Sequence, residues 1–155
     1  MTLEERIVSE LTGKFPCLTA HVQRVRRISA TVAYERFAEV FSYAIDAAAF
    51  TILCTITGLD EGDTLAFIYH LAKEDGTMLN LKTAVPKQDP LLATVTGRFP
   101  SAEIYEREVA DLLGARIEGI LEGKRYPLPD DWPAGEYPLR KDWKANNPRT
   151  KEVPS

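Results

Sequence analysis

Four carboxylates in two places have the residue types that acid–base chemistry needs: Glu106 and Glu108 on either side of Arg107, and the adjacent pair Asp130-Asp131. General acid–base catalysis requires two such groups within reach of one reacting atom. Side chains two positions apart on a helix diverge by about 100° or more, so Glu106 and Glu108 do not converge on one substrate. Asp130-Asp131 follows Pro129 and reads as a turn or helix start rather than a cation site. His21 and His70 lie in strand-like stretches, with His70 opposite in face to Phe67 and Tyr69, and read as surface or core-edge residues. Cys17 and Cys54 have neither a CxxC spacing nor a histidine at ligand distance. Two thiols cannot supply the four ligands of an iron–sulfur cluster, so they are expected to be buried and reduced. Glycines occur singly, which excludes a phosphate-cradling loop, and no serine sits in a nucleophile-elbow setting. No catalytic set emerges. No cofactor and no metal are expected in this chain.

What the charged residues do offer is adhesion. Glu106-Arg107-Glu108-Val109-Ala110-Asp111-Leu112-Leu113-Gly114 reads as the end of an amphipathic helix with a glycine stop. On a helical wheel Tyr105, Val109, Leu112 and Leu113 form the core arc, with Glu108 at one edge and Glu106 at the other. Arg107 points away, one turn from both Glu103 and Asp111. The edge carboxylates are expected to bind a neighbouring protein or the chain's own tail.

The elements that must position this helix are legible in outline. Thr2-Leu3-Glu4-Glu5 is a capping box, and Leu3, Ile7, Val8 and Leu11 form a stripe that ends near Gly13 and Pro16. The pattern from Leu18 to Val32 is β-like, and a second amphipathic helix from about Tyr34 to Ala48 buries Phe37, Phe41, Ala44, Ile45 and Ala48. Three strands follow, with inward sets Phe50/Ile52/Cys54/Ile56, Leu65/Phe67/Tyr69/Leu71 and Leu79/Leu81/Thr83/Val85. The short links at Gly58–Asp63 and Lys73–Gly76 can only make antiparallel hairpins. Asp89 is placed to cap a short helix over Pro90–Thr96, and Ser101 to cap the charged helix. The fold class is α+β: an antiparallel meander sheet backed by helices.

Residues 1–121 form that helix-backed domain, and 122–155 an extended tail rich in proline and aromatics. Six of the ten prolines and both tryptophans lie in the tail. Proline excludes helix interiors and central strands, while tyrosine and tryptophan mean docking rather than disorder. Net charge is −4, yet between Leu139 and Lys151 the chain has Arg140, Lys141, Lys144, Arg149 and Lys151 against only Asp142. The acidic balance excludes general nucleic-acid binding, which needs basic excess. No apolar run reaches the about 18 residues of a membrane span, and the acidic start argues against a secretory leader.

These same residues resemble the 30 kDa (C-type) subunit family of respiratory complex I, an NADH dehydrogenase, and its relatives in membrane-bound energy-converting nickel–iron hydrogenases. The resemblance rests on Glu106-Arg107-Glu108, Asp111, Leu112-Leu113-Gly114, Lys124-Arg125, Pro129-Asp130-Asp131-Trp132 and Tyr137-Pro138-Leu139-Arg140-Lys141-Asp142-Trp143, within roughly Phe50 to Trp143. One departure is that Gly119-Ile120-Leu121 stands where the family has His-Pro after the glycine, and Gly123 replaces a leucine. The resemblance implies a non-catalytic, cofactor-free subunit that packs on the large catalytic subunit, quinone-site or nickel–iron, and its iron–sulfur neighbours. It also implies a cytoplasmic location, with the membrane reached only through the complex. The partner-binding residues would be Glu106, Arg107, Glu108, Asp111, Trp132 and Tyr137 to Trp143. Two other readings stand beside it: an adaptor with a proline-rich docking tail, and a stand-alone enzyme. The proline spacing does not suit a polyproline ligand, and the carboxylates do not converge.

Overall fold

A five-stranded sheet forms the frame in the computed structural model, which describes residues 1–145. Helix α1 (Leu3–Lys14) starts at the Thr2/Glu5 capping box, whose two reciprocal hydrogen bonds both form. Strands β1 (Thr19–Arg24) and β2 (Arg27–Thr31) make a tight hairpin, followed by helix α2 (Tyr34–Asp46). Strands β3 (Ile52–Asp60), β4 (Thr64–Ala72) and β5 (Met78–Pro86) then run as antiparallel neighbours. The α+β class holds, and β3–β4–β5 is the expected meander. The sheet order, β1-β2-β5-β4-β3, joins the two hairpins through a parallel contact between β2 and β5. The sheet is therefore mixed rather than wholly antiparallel. Local link lengths dictate each hairpin but say nothing about how two hairpins dock.

One face of the sheet carries Ile28, Ala30, Phe67, Tyr69, Leu71, Leu79 and Leu81, all essentially inaccessible. Against it pack Ile7 and Leu11 of α1, and Phe37, Val40 and Phe41 of α2. The aromatic rings of Phe37, Phe41 and Tyr69 lie 4.6 to 5.6 Å apart, within the range of favourable ring contacts. Ile45 is only half-buried, while Val40, which the sequence pattern does not single out, is fully inside.

Three expectations are corrected. A bulge between Leu53 and Thr55 shifts the register of β3, so Leu53 and Ile56 face inward while Ile52 and Cys54 are exposed. Cys17 is exposed as well, so neither thiol is buried. Residues Leu91–Ala93 form not a helix but a short strand, β6, paired in parallel with β7 (Arg116–Glu118). Its partner lies more than twenty residues downstream, beyond the reach of local pattern.

Helix α3 (Ala102–Leu113) fills the last part of the frame, against β3. Ser101 precedes it but makes no capping bond through its side chain. Gly58 of β3 permits the close approach: a Cβ there would collide with Leu113 Cδ1 and sit 3.3 Å from Val109 Cγ1.

Candidate functional site

The face that α3 buries is Ala102, Glu106, Val109 and Leu113, a stripe at helical spacing with a carboxylate in it. Relative to the expected arc the helix is rotated: Tyr105 and Leu112 are only half-buried, whereas Glu106 retains 1 % exposure. Its charge is answered locally. Glu106 Oε1 accepts from the Val95 amide at 2.7 Å, and Oε2 from the Thr94 hydroxyl at 2.6 Å. Thr94 Oγ1 lies 2.8 Å from Thr96 Oγ1. Burial pushes the Glu106 carboxyl above its ordinary value, the two hydrogen bonds pull the other way, and nearby Glu103 adds to the rise. Glu106 is a brace between α3 and the segment after β6, not an acid or base open to substrate.

Arg107 points outward as expected, but it is not idle. Its guanidinium bonds Glu103 Oε1 at 2.8 and 3.1 Å and donates to the Leu121 carbonyl at 2.6 Å. The loop crosses the guanidinium at Gly123, where a Cβ would come within 2.5 Å of Arg107 Nη2. Asp111, one turn on, accepts from Arg125 Nε at 3.4 Å and from the Leu128 amide at 3.3 Å.

The tail then closes over the C-terminus of α3. Gly114 adopts φ 78°, and the Tyr137 ring lies over it so closely that a Cβ would be 2.5 Å from Tyr137 Cε2. Helix ends leave carbonyls without partners. Here the Leu139 amide donates to the Leu112 carbonyl at 3.0 Å, and Arg140 Nε to the Leu113 carbonyl at 2.7 Å. The Arg140 guanidinium is 4.8 Å from the Tyr137 ring centre, a cation–π stack, and its charge suits the negative end of the helix. Pro138, between them, is half-buried.

The far end of the tail is latched by charge. Lys87 Nζ bonds Asp60 Oδ2 at 2.7 Å and Asp142 Oδ1 at 3.0 Å. Asp60 also accepts from the amides of Lys141, at 2.8 Å, and Gly62, at 2.9 Å. The Lys87 ammonium holds the Asp60 carboxyl well below the usual carboxylate range and depresses Asp142 too; the same bonds raise Lys87. Trp132 and Trp143 pair at 5.9 Å, their indole N–H groups donating to the backbone carbonyl and the side chain of Glu136. Arg125 Nη1 donates to the Trp132 carbonyl at 2.7 Å.

Of the residues singled out in the sequence, the structure gathers Asp111, Tyr137, Leu139 (through its amide), Arg140, Lys141 (through its amide) and Asp142 into one tail–body contact, with Arg107 holding the adjoining loop at Leu121, while Trp132 and Trp143 pair with each other within the tail. Glu106 braces the body, and Glu108 lines a groove beside β3. Arg149 and Lys151 lie outside the described residues. Sequence reasoning missed Asp60, Lys87 and Thr94. Nothing local marks them, because each acquires its role from a partner at least 12 positions away. Asp130 and Asp131 are exposed, and His70 is tied between Thr57 and Asn80 at 2.8 Å each. A cavity of about 680 Å³ opens between α2 and residues 93–98, lined by Tyr34, Phe37, Phe41, Val95 and Arg98, whose guanidinium already pairs with Asp46. Among the described residues no three His, Cys, Asp or Glu side chains are grouped to hold a metal, and no helix is long and apolar enough to cross a membrane.

The family model described as the respiratory-chain NADH dehydrogenase 30 kDa subunit matches residues 30–149. The C subunit of the F(420)H(2) dehydrogenase of Methanosarcina mazei is 36% identical over 149 residues, covering 93% of this chain and 94% of the relative. The C/D subunit of the NADH-quinone oxidoreductase of Aeromonas salmonicida is 38% identical over 88 residues, 57% of this chain but 14% of that longer protein. In three dimensions, a chain of the membrane-bound sulfane sulfur reductase, an archaeal respiratory membrane complex, superposes with a TM-score of 0.80 at 30% identity, over 90% of this chain and 85% of the other. The trypsin-resistant fragment (1-134) of Nqo5 superposes with a TM-score of 0.65 at 30% identity, over 77% and 98%.

Proposed function

Because the chain belongs to the family of the respiratory-chain NADH dehydrogenase 30 kDa subunit, we propose that it is a non-catalytic, hydrophilic-arm subunit of a complex I-like, membrane-associated oxidoreductase. In this reading it scaffolds the large catalytic subunit and carries no cofactor of its own. The observation that carries the reading is near full-length similarity to the C subunit of such a dehydrogenase, combined with a site whose charged residues brace and latch rather than converge. A relative that bears C and D in one polypeptide supports the large D-type subunit as the neighbour. The location that follows is peripheral, on the cytoplasmic face, with the membrane met only through the complex. The tail is bound into its own body, which removes the feature that favoured a free proline-rich ligand.

Affinity purification of the tagged chain from detergent-solubilised membranes, followed by mass spectrometry, tests this. A large catalytic subunit with iron–sulfur and membrane chains is the expected harvest. A lone monodisperse domain would sink the assembly role.

A further inference from the structure

We propose that the outer edge of β3, where it borders α3, receives an extended segment of the neighbouring subunit by strand addition, with an aliphatic side chain seated between strand and helix and a lysine or arginine on Glu108. The inference rests on the assembly role proposed above and names the surface that performs it.

Strand β3 ends the sheet order, and among the described residues no strand pairs with its outer side. An edge strand presents a row of unpaired N–H and C=O groups, which proteins blunt with proline, outward charge or covering segments. Over Ile52–Asp60 there is no proline, and the one charged residue, Asp60, is turned inward to Lys87. The bulge lies at the Leu53 end and leaves Thr55 to Asp60 in regular register. The opposite edge, β1, is different: it carries His21 and Arg24, and its bulge interrupts the strand near its end.

Beside β3 runs a groove of about 180 Å³, walled by Thr55 to Gly58, Glu108, Val109, Leu112, Leu113 and Leu139. Strand addition needs this combination: backbone groups for affinity and a pocket for a side chain that gives specificity. Val109, Leu112, Leu113 and Leu139 give the groove an aliphatic side, and Thr55, Thr57 and Glu108 a polar one, so an aliphatic side chain flanked by polar groups fits it. Charge supplies the rest. The ion pairs of α3 are Arg107–Glu103 and Asp111–Arg125, while Glu108 has none among the described residues. A carboxylate beside the aliphatic side of the groove favours a basic residue next to the apolar anchor. Leu139, 55% exposed, forms the end wall only because the tail is latched, so docking of the tail completes the groove.

Hydrogen exchange on the free chain and on the chain within the purified complex provides the test. The amides of residues 55–59 are expected to slow by about tenfold or more on assembly, while those of β1 remain as in the free chain. Glu108→Lys is expected to cut incorporation into the complex by about tenfold, with Glu108→Gln intermediate. Unchanged exchange at residues 55–59 in a chain that is incorporated would overturn the proposal and leave the assembly role standing. Failure of the unaltered chain to assemble with any other subunit would overturn both.

Discussion

Glu106 shows how a single residue can mislead a pattern. A glutamate on a charged helix turn reads as an edge residue, because nothing within a few positions reveals the amide and hydroxyl that make burial tolerable. The Thr94 and Val95 partners come from a segment whose own pattern is helical. Replacement by alanine leaves the Val95 amide without its acceptor and should lower stability by about 1–3 kcal/mol in denaturant unfolding. Glu106→Gln keeps the shape and the amide bond and sheds the buried charge. A carboxyl raised by burial is most favourable to the fold below the ordinary value of about 4.3, and that contribution fades as pH rises through the raised folded value. Glu106→Gln should therefore gain on the wild type toward neutral pH and lose its advantage in acid. The Lys87 latch has the opposite acid limb. Asp60 is depressed, so its contribution is whole above about pH 4 and is lost as pH falls through the lower folded value. Lys87 is raised, so its contribution is whole below about pH 10 and is lost as pH climbs past the raised value. Both tryptophans of the chain lie in the tail and report on it directly. Their emission should be flat across that window in the wild type, whereas Asp60→Asn should already show a released-tail spectrum at neutral pH.

At the scale of elements, hairpins and amphipathic helices are legible because their periodicity and links are local. The inward sets of β4 and β5 follow strict alternation, and the structure places every member inside. On β3 the alternation breaks at the bulge, which adds one residue without any mark in the sequence. The Pro90–Thr96 stretch misleads for another reason: a proline behind an aspartate is a good helix start, but pairing with Arg116–Glu118 outweighs that preference. Two glycines separate the roles of α3's two contacts. Gly114→Ala meets a positive φ and the Tyr137 ring, so it should detach the tail, shift tryptophan emission and leave the helix content of the body intact. Gly58→Ala drives a Cβ into buried Leu113 and should cost about 1–3 kcal/mol of global stability, since overpacking forces the helix off the strand. Thermal unfolding followed by circular dichroism distinguishes the two: the first variant melts near the wild type, the second well below it.

For the whole molecule, the tail is where sequence and structure agree in kind and differ in target. Tyrosine, tryptophan and arginine in a proline-rich run announce docking, and the surface they dock on is the chain's own helix end. The adhesive residues are thereby spent on a rigid subunit shape, and the groove between β3 and α3 is left facing outward. The parallel contact between β2 and β5 is the least legible feature, because it joins Arg27 to Met78 and Thr31 to Lys82 across more than fifty residues. That contact also sets the order in which the molecule comes together. Hairpins close cheaply, whereas a seam between distant strands waits on the entropy of the intervening loop. The β3–β4–β5 meander should be the folding nucleus, and the N-terminal hairpin with α1 should add late. Ile28→Ala, in the seam, should then speed unfolding in stopped-flow measurements with little change in the folding rate, whereas Leu71→Ala, in the meander, should slow folding. On a ribosome, the first thirty or so residues would therefore emerge early and remain uncommitted until Lys82 had followed them out, a delay written into the strand order itself.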